Sequence, residues 1–291
     1  MDHHYVPQFY LRYWADHDGR IPNVHWLKGR AIPGFIKSSK GTGYERDLYA
    51  REHVPPEERH RIETHFFSIL DDRASKIHAK LERRERFTFT EAERHDWAIF
   101  LAAANARTPD IVEFIKKDAE ENLRKKLEEN PEEVEEKLGY KPPFTLTEWV
   151  EKHAPDQLAN FGLKMLLKYL TRDDIIQQFM DMIWTVHPSN SRHKELLTCD
   201  RPLWYFGKPH DHNFTMMMTL SPRSVFIAAK TDDLAEKMKA MPSMKLARLI
   251  NESVFNRAYE RVYGRVPEDV ATRMFKLSRR NQAVRRATMA G

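Results

Sequence analysis

The 291-residue chain is 41% hydrophobic and 31% charged, with 16 Phe, 10 Tyr and 6 Trp, so it can bury a sizeable core, and disordered or fibrous classes are excluded. The formal net charge is +5, but Lys276, Arg279, Arg280, Arg285 and Arg286 lie in a last stretch without acidic residues, which leaves the body neutral and implies only a basic tail over 276–291. A lone Cys199 excludes an intramolecular disulfide and a four-thiolate zinc site. With no apolar run near ~20 residues and no leader pattern in Met-Asp-His-His-Tyr, a cytoplasmic protein without membrane contact is expected.

Pro7 and the aromatic spacing of Phe9, Tyr10, Tyr13 and Trp14 predict a short helix over 7–14. Residues 23–27 and 31–36 flank Lys28-Gly29-Arg30 as a hairpin, and Pro33 assigns the second strand to a sheet edge. From Pro56 to about Arg84 the stripe Ile62, Phe66, Ile69/Leu70, Ala74, Ile77 and Leu81 predicts a long helix. Thr90 with Glu93 forms a capping box for a second, through Trp97, Phe100, Leu101 and Ala102-Ala103-Ala104. The two should pack as an antiparallel pair, with Phe66, Leu70, Ile77, Trp97 and Phe100 in one core.

Thr108-Pro109 should interrupt the second helix, and 118–137 reads as a charged helical excursion broken at Asn130-Pro131. Helices follow at 155–170 and 172–183. Short apolar runs at Met182–Pro188, Leu196–Asp200, Phe214–Leu220 and Ser224–Ala229 then read as strands. Helices return at 232–240 and 243–262, the last ending before Gly264. The expectation is an α+β fold, mostly helical, with a small antiparallel sheet joining the N-terminal hairpin to strands after residue 182, in one domain over 1–275.

Three segments carry a family resemblance: the opening His3-His4-Tyr5-Val6-Pro7-Gln8-Phe9-Tyr10-Leu11-Arg12, the element Thr198-Cys199-Asp200-Arg201-Pro202 and the strand Thr219-Leu220-Ser221-Pro222. Glu45-Arg46-Asp47-Leu48-Tyr49, Ile62-Glu63, Arg107-Thr108-Pro109 and Asn251 add to it. Together they resemble the bacterial family called domain of unknown function 4238, over nearly the whole chain. The resemblance implies an architecture and positions worth testing, and no reaction.

Chemistry narrows those positions. On an extended segment His3 and His4 face opposite ways, and His4 could act as a general base or a neutral metal ligand. Asp200, ending an apolar strand, could hold a divalent cation or close a turn. Arg107 could clamp a phosphate or carboxylate, or form a buried ion pair with Glu63 or Glu45. His4, Asp200 and Arg107 are therefore the catalytic candidates, with His3, Gln8, Arg12, Tyr49, Glu63 and Asn251 around the substrate. No Gly-rich phosphate loop, His-Glu-x-x-His pair or Gly-x-Ser-x-Gly elbow occurs, which removes P-loop ATPases, zincins and typical α/β-hydrolases. The remaining expectation is a hydrolase, a metal-assisted phosphodiesterase or nuclease. Its alternatives are a binding module for nucleic acid or a small anion, and a purely structural cluster.

Overall fold

The computed structural model describes residues 1–83, 88–189 and 195–290, with side chains through residue 280. Every strand pair among the described residues is antiparallel, and helices dominate, so the fold is α+β. The strands form three sheets where one was expected. β1 (Asp2–His4) pairs with β4 (Tyr44–Arg46). The hairpin β2 (Ile21–Leu27) and β3 (Arg30–Ile36) meets the later chain through β10 (Arg261–Tyr263) and β6 (Thr198–Cys199), in the order β3-β2-β10-β6. A separate sheet has the order β5-β9-β8-β7, built from β5 (Ile183–Pro188), β7 (Leu203–Phe206), β8 (Thr215–Ser221) and β9 (Ser224–Ala229).

The separation follows from the apolar runs. β8 and β9 are buried along their whole length, so they need cover on both faces. Met216, Met218, Leu220, Phe226 and Ala228 enter a main core, whereas Met217, Val225 and Ile227, one residue out of phase, enter a second. The N-terminal hairpin contributes Val24 and Ala31 to that second core. Its turn is one residue shorter than the expected Lys28-Gly29-Arg30 connection, because Arg30 already belongs to β3, and both Lys28 (φ 48°) and Gly29 (φ 81°) are left-handed. Pro33 lies on the edge strand.

After the short helix α1 (Gln8–Leu11), the segment expected as one long helix begins with a 3-10 turn at Pro56–Glu58. It continues through a π-helical turn at Ile62–Phe67 into α2 (Ser68–Arg83); Arg84 lies outside the described residues. The π-turn changes which side chains face inward. Its i to i+5 period buries Ile62 and Phe67, leaving Phe66 half-buried and Ile69 exposed, contrary to the regular stripe. Leu70, Ala74, Ile77 and Leu81 then follow the expected register and join Trp97 and Phe100 in the main core.

α3 (Glu91–Ala106) starts at Thr90 with the full capping box. It ends at Arg107, and α4 (Pro109–Glu129) begins at Pro109 as its first residue. α5 (Pro131–Leu138), α6 (Leu146–His153) and α7 (Pro155–Ala159) follow, and Leu127, Leu146, Val150 and Leu158 form a small core under the charged excursion. α8 (Phe161–Leu170) approaches α4 closely at Gly162, where a Cβ would meet the Lys116 Cα at 2.4 Å. α9 (Asp173–Met180) leads into β5.

α10 (Asp232–Lys239) and α11 (Ser243–Arg257) match their patterns, but α11 stops at Arg257 and residues 261–263 form β10 instead of a further helical turn. The Asp200 carboxylate is the cause, since it accepts the amides of Tyr259, Glu260 and Arg261 at 2.7–2.9 Å and draws that backbone out of helix. α12 (Glu268–Ala290) packs Ala271 and Phe275 into the second core.

The stretch read as a basic tail begins inside α12. Ser278 is buried and Arg279 donates to the Tyr259 carbonyl. The side chains of Arg285 and Arg286 lie outside the described residues. A chain ending at Arg280 keeps both the buried Ser278 and the Arg279 contact. One ending at Phe275 should lose about 1–2 kcal/mol, a shift of a few degrees in thermal denaturation, and equal melting of both would place the functional end of α12 at Phe275.

Candidate functional site

The N-terminal segment is anchored first. Tyr5 and Val6 both donate their amides to the Gly43 carbonyl, at 2.8 and 2.9 Å. Gly43 sits at φ +66°, where a Cβ would stand 2.8 Å from that of Val6, so only glycine allows this return. The pairing of β1 with β4 then turns His3 inward and His4 toward the π-turn.

Tyr10 joins the three segments that carried the resemblance. Its buried hydroxyl lies 2.6 Å from Thr198 Oγ1 and 3.1 Å from Thr219 Oγ1, bridging the two four-stranded sheets. Trp14 adds a bond from Nε1 to the Leu196 carbonyl at 3.0 Å. Much of that motif is therefore scaffold.

Beside it lies a polar cluster. His4 donates its amide to Glu63 Oε1 at 3.3 Å, and Gln8 Nε2 lies 3.5 Å from His4 Nδ1. Arg107 is fully buried, its Nη1 donating to Asp71 Oδ1 at 2.9 Å. Its guanidinium sits between the rings of Phe67 and Phe100, 5.5 and 5.7 Å from their centroids. Tyr49 closes the floor, donating its hydroxyl to the Arg107 carbonyl at 2.6 Å and its amide to His3 Nδ1 at 2.9 Å.

Four buried polar atoms in this cluster have no hydrogen-bond partner: His4 Nε2, Glu63 Oε2, Arg107 Nε and Arg107 Nη2. Such groups are costly to leave unmade and are rare in folded proteins. The charges also sense one another. Burial pushes the Glu63 carboxyl up to about 7, with Asp71 adding to it and Arg107 and the His4 amide opposing. Burial lowers the His4 imidazole, and Arg107 adds to that while the Lys40 carbonyl and Asp2 oppose. A raised acid thus adjoins a neutral base, above a guanidinium with free donors.

The remaining candidates serve elsewhere. Asp200 is held by its three amide donors, and neither His4 nor Arg107 is among its hydrogen-bond partners. Asn251 accepts from the Leu197 amide and donates to the Glu195 carbonyl, both at 2.9 Å, stapling α11 to the approach to β6. Arg12 is exposed, without an ion-pair partner among the described residues. Arg107 pairs with Asp71, where Glu63 or Glu45 was expected; Glu45 is exposed on β4 and Glu63 is turned to His4. Asp71 was missed because it reads as one of an acidic pair on a solvated helix face, and no local signal marks it.

Among the described residues, one group has the spacing of a metal site: His3, Asp47 and His60, with ligand atoms within 4.8 Å of one another. Its hydrogen bonding fits a proton chain better than a cation. His3 Nδ1 accepts the Tyr49 amide, so the proton sits on Nε2 and is directed at His60 Nδ1, 3.1 Å away. Ligation through Nε2 would require that proton to leave and the Tyr49 bond to break. Burial and the neighbouring His60 lower the His3 imidazole to about 4, keeping it neutral.

A family model described as protein of unknown function (DUF4238) matches residues 2–268, and the chain belongs to that family. No curated protein and no solved structure matches it. No helix among the described residues is long and apolar enough to cross a membrane.

Proposed function

We propose that His4, Glu63 and Arg107 form the centre of a hydrolase that cleaves phosphodiesters by general acid–base catalysis. The observation that carries this reading is the pairing of opposite shifts. Glu63 is raised to about 7 while His4 is lowered, and groups whose environments drive them apart divide into acid and base. With the Gln8 side-chain amide turned so that its oxygen accepts from His4 Nδ1–H, His4 Nε2 takes the proton of the attacking water, Glu63 Oε2 gives one to the leaving oxygen, and Arg107 Nε and Nη2 hold the non-bridging oxygens. Each role falls on an atom that is buried and without a protein partner, so catalysis requires the side chains covering Arg107 to part and admit the phosphate. Gln8 and Tyr49 position His4 and Arg107.

Acid, base and anion anchor all come from side chains, so turnover should persist in chelator. The purified chain is to be assayed with RNA, single- and double-stranded DNA and bis(p-nitrophenyl) phosphate, in EDTA and then in Mg²⁺ or Mn²⁺. Cleavage in EDTA, maximal between about pH 6 and 7 and lost in His4→Ala, supports the reading. Absence of turnover with every substrate, or turnover indifferent to His4→Ala, overturns it. Saturable binding without turnover would identify a module for anionic ligands, and a lower melting temperature without either would identify a structural cluster.

A further inference from the structure

The π-turn that presents Glu63 also contributes to a separate cavity of about 410 Å³, within the range of small-molecule sites. Its apolar wall combines Ile62 and Phe66 from the turn with Leu163 and Leu167 of α8. Phe66 is available there because the π-turn sends Phe67 into the core in its place.

The charged part is mostly cationic, with Arg51, Arg61 and Lys164 against a single lining carboxylate, Asp156, and the His65 ring stands beside them. Two of the cations are held in place. Glu58 accepts from Arg51 at 2.7 Å and from Arg61 at 2.9 Å, orienting both guanidiniums while leaving other N–H donors unused. Lys164 is exposed and has no ion-pair partner among the described residues. His65 uses Nδ1 toward Thr64 Oγ1 at 2.8 Å, and Asp156 accepts from Gln157 at 2.8 Å.

The wall is also rigid. Asn160 receives the Glu52 amide and donates to the Glu52 and Asp156 carbonyls, at 2.7–2.9 Å, which ties the loop carrying Arg51 to the start of α8. Gly162 lets α8 lie directly against α4. An apolar wall with a cationic rim, both positioned before any ligand arrives, selects an amphipathic anion.

We infer that this cavity binds a small organic anion, an aromatic body bearing a sulfonate, carboxylate or phosphate. The body lies on Phe66, Ile62, Leu163 and Leu167, and the anionic group meets Arg61 and Lys164. This site is distinct from the cluster at His4 and does not depend on that cluster being catalytic.

The test uses the full chain and 8-anilinonaphthalene-1-sulfonate, followed by fluorescence, with N-phenyl-1-naphthylamine as the uncharged analogue. One saturable sulfonate site per chain is expected. Lys164→Glu, an exposed change that leaves packing alone, should weaken sulfonate binding about tenfold or more by replacing attraction with repulsion and leave the neutral analogue unchanged. Leu167→Ser should weaken both ligands. Sulfonate affinity unaltered by Lys164→Glu, or binding that does not saturate at one molecule per chain, overturns the proposal.

Discussion

Glu63→Gln is expected to be more stable than the wild type at pH 8 and nearly inactive. The carboxyl is raised from its ordinary value of 4.5 to about 7 in the folded chain, so the folded state holds its proton more tightly than the unfolded state. Its favourable contribution is therefore complete below about pH 4.5 and is lost as pH rises through 7. With allowance for solvent reaching the half-buried side chain, the loss is about 2 kcal/mol. Glutamine carries no ionisable proton and escapes it.

The two proteins should thus agree near pH 4.5 in urea denaturation and diverge toward pH 8, with the variant above. His3 and His4 act in the opposite sense: both are lowered on folding, so each costs stability as pH falls below its ordinary 6.5, in wild type and variant alike. The difference between the two curves isolates Glu63. Parallel curves would mean that its carboxyl is solvated. The same substitution should reduce kcat/KM by about 10²–10⁴-fold and abolish the decline in rate above pH 7. A variant with the alkaline limb intact would assign the acid to another group.

What the sequence disclosed and what it hid differ by range. The Thr90 capping box, the Lys28-Gly29 turn and the Thr108-Pro109 break were readable because each is settled by residues within a few positions. β10 was unreadable for the complementary reason. Val262 continues a helical stripe, and what converts that backbone to strand, the Asp200 carboxylate together with the partners β2 and β6, lies about 60 positions away or more. The π-turn was hidden as well, because an apolar stripe cannot say whether position 66 or 67 faces inward when the helical period changes.

The site was half legible. His4, Glu63, Arg107, Gln8 and Tyr49 were all named as polar residues in unusual places, and they do gather. Asp200 was grouped with them for its place at the end of an apolar strand, yet its oxygens are occupied by backbone. Asp71 could not be distinguished from Asp72 beside it, although the first is bonded to Arg107 and the second only to the solvent-exposed Lys76.

Arg107 should be the most sensitive position in the cluster. It is fully buried between Phe67 and Phe100, and its charge is balanced by Asp71. Arg107→Met removes the buried partner of a pair whose Asp71 side chain is partly exposed, and strands that carboxylate, at an expected cost of about 2–4 kcal/mol, or a fall of roughly 5–10 °C in melting temperature. Adding Asp71→Asn removes the stranded charge and should recover a large part of that loss, so the two substitutions will be far from additive. A single variant within about 1 kcal/mol of wild type would show that the pair contributes nothing. The double variant separates packing from ligand binding: it restores the fold but not the donors at Nε and Nη2. If Arg107 anchors an anion, phosphate will raise the melting temperature of the wild type and not that of the double variant; an equal rise in both would place the phosphate elsewhere and leave Arg107 as a structural residue.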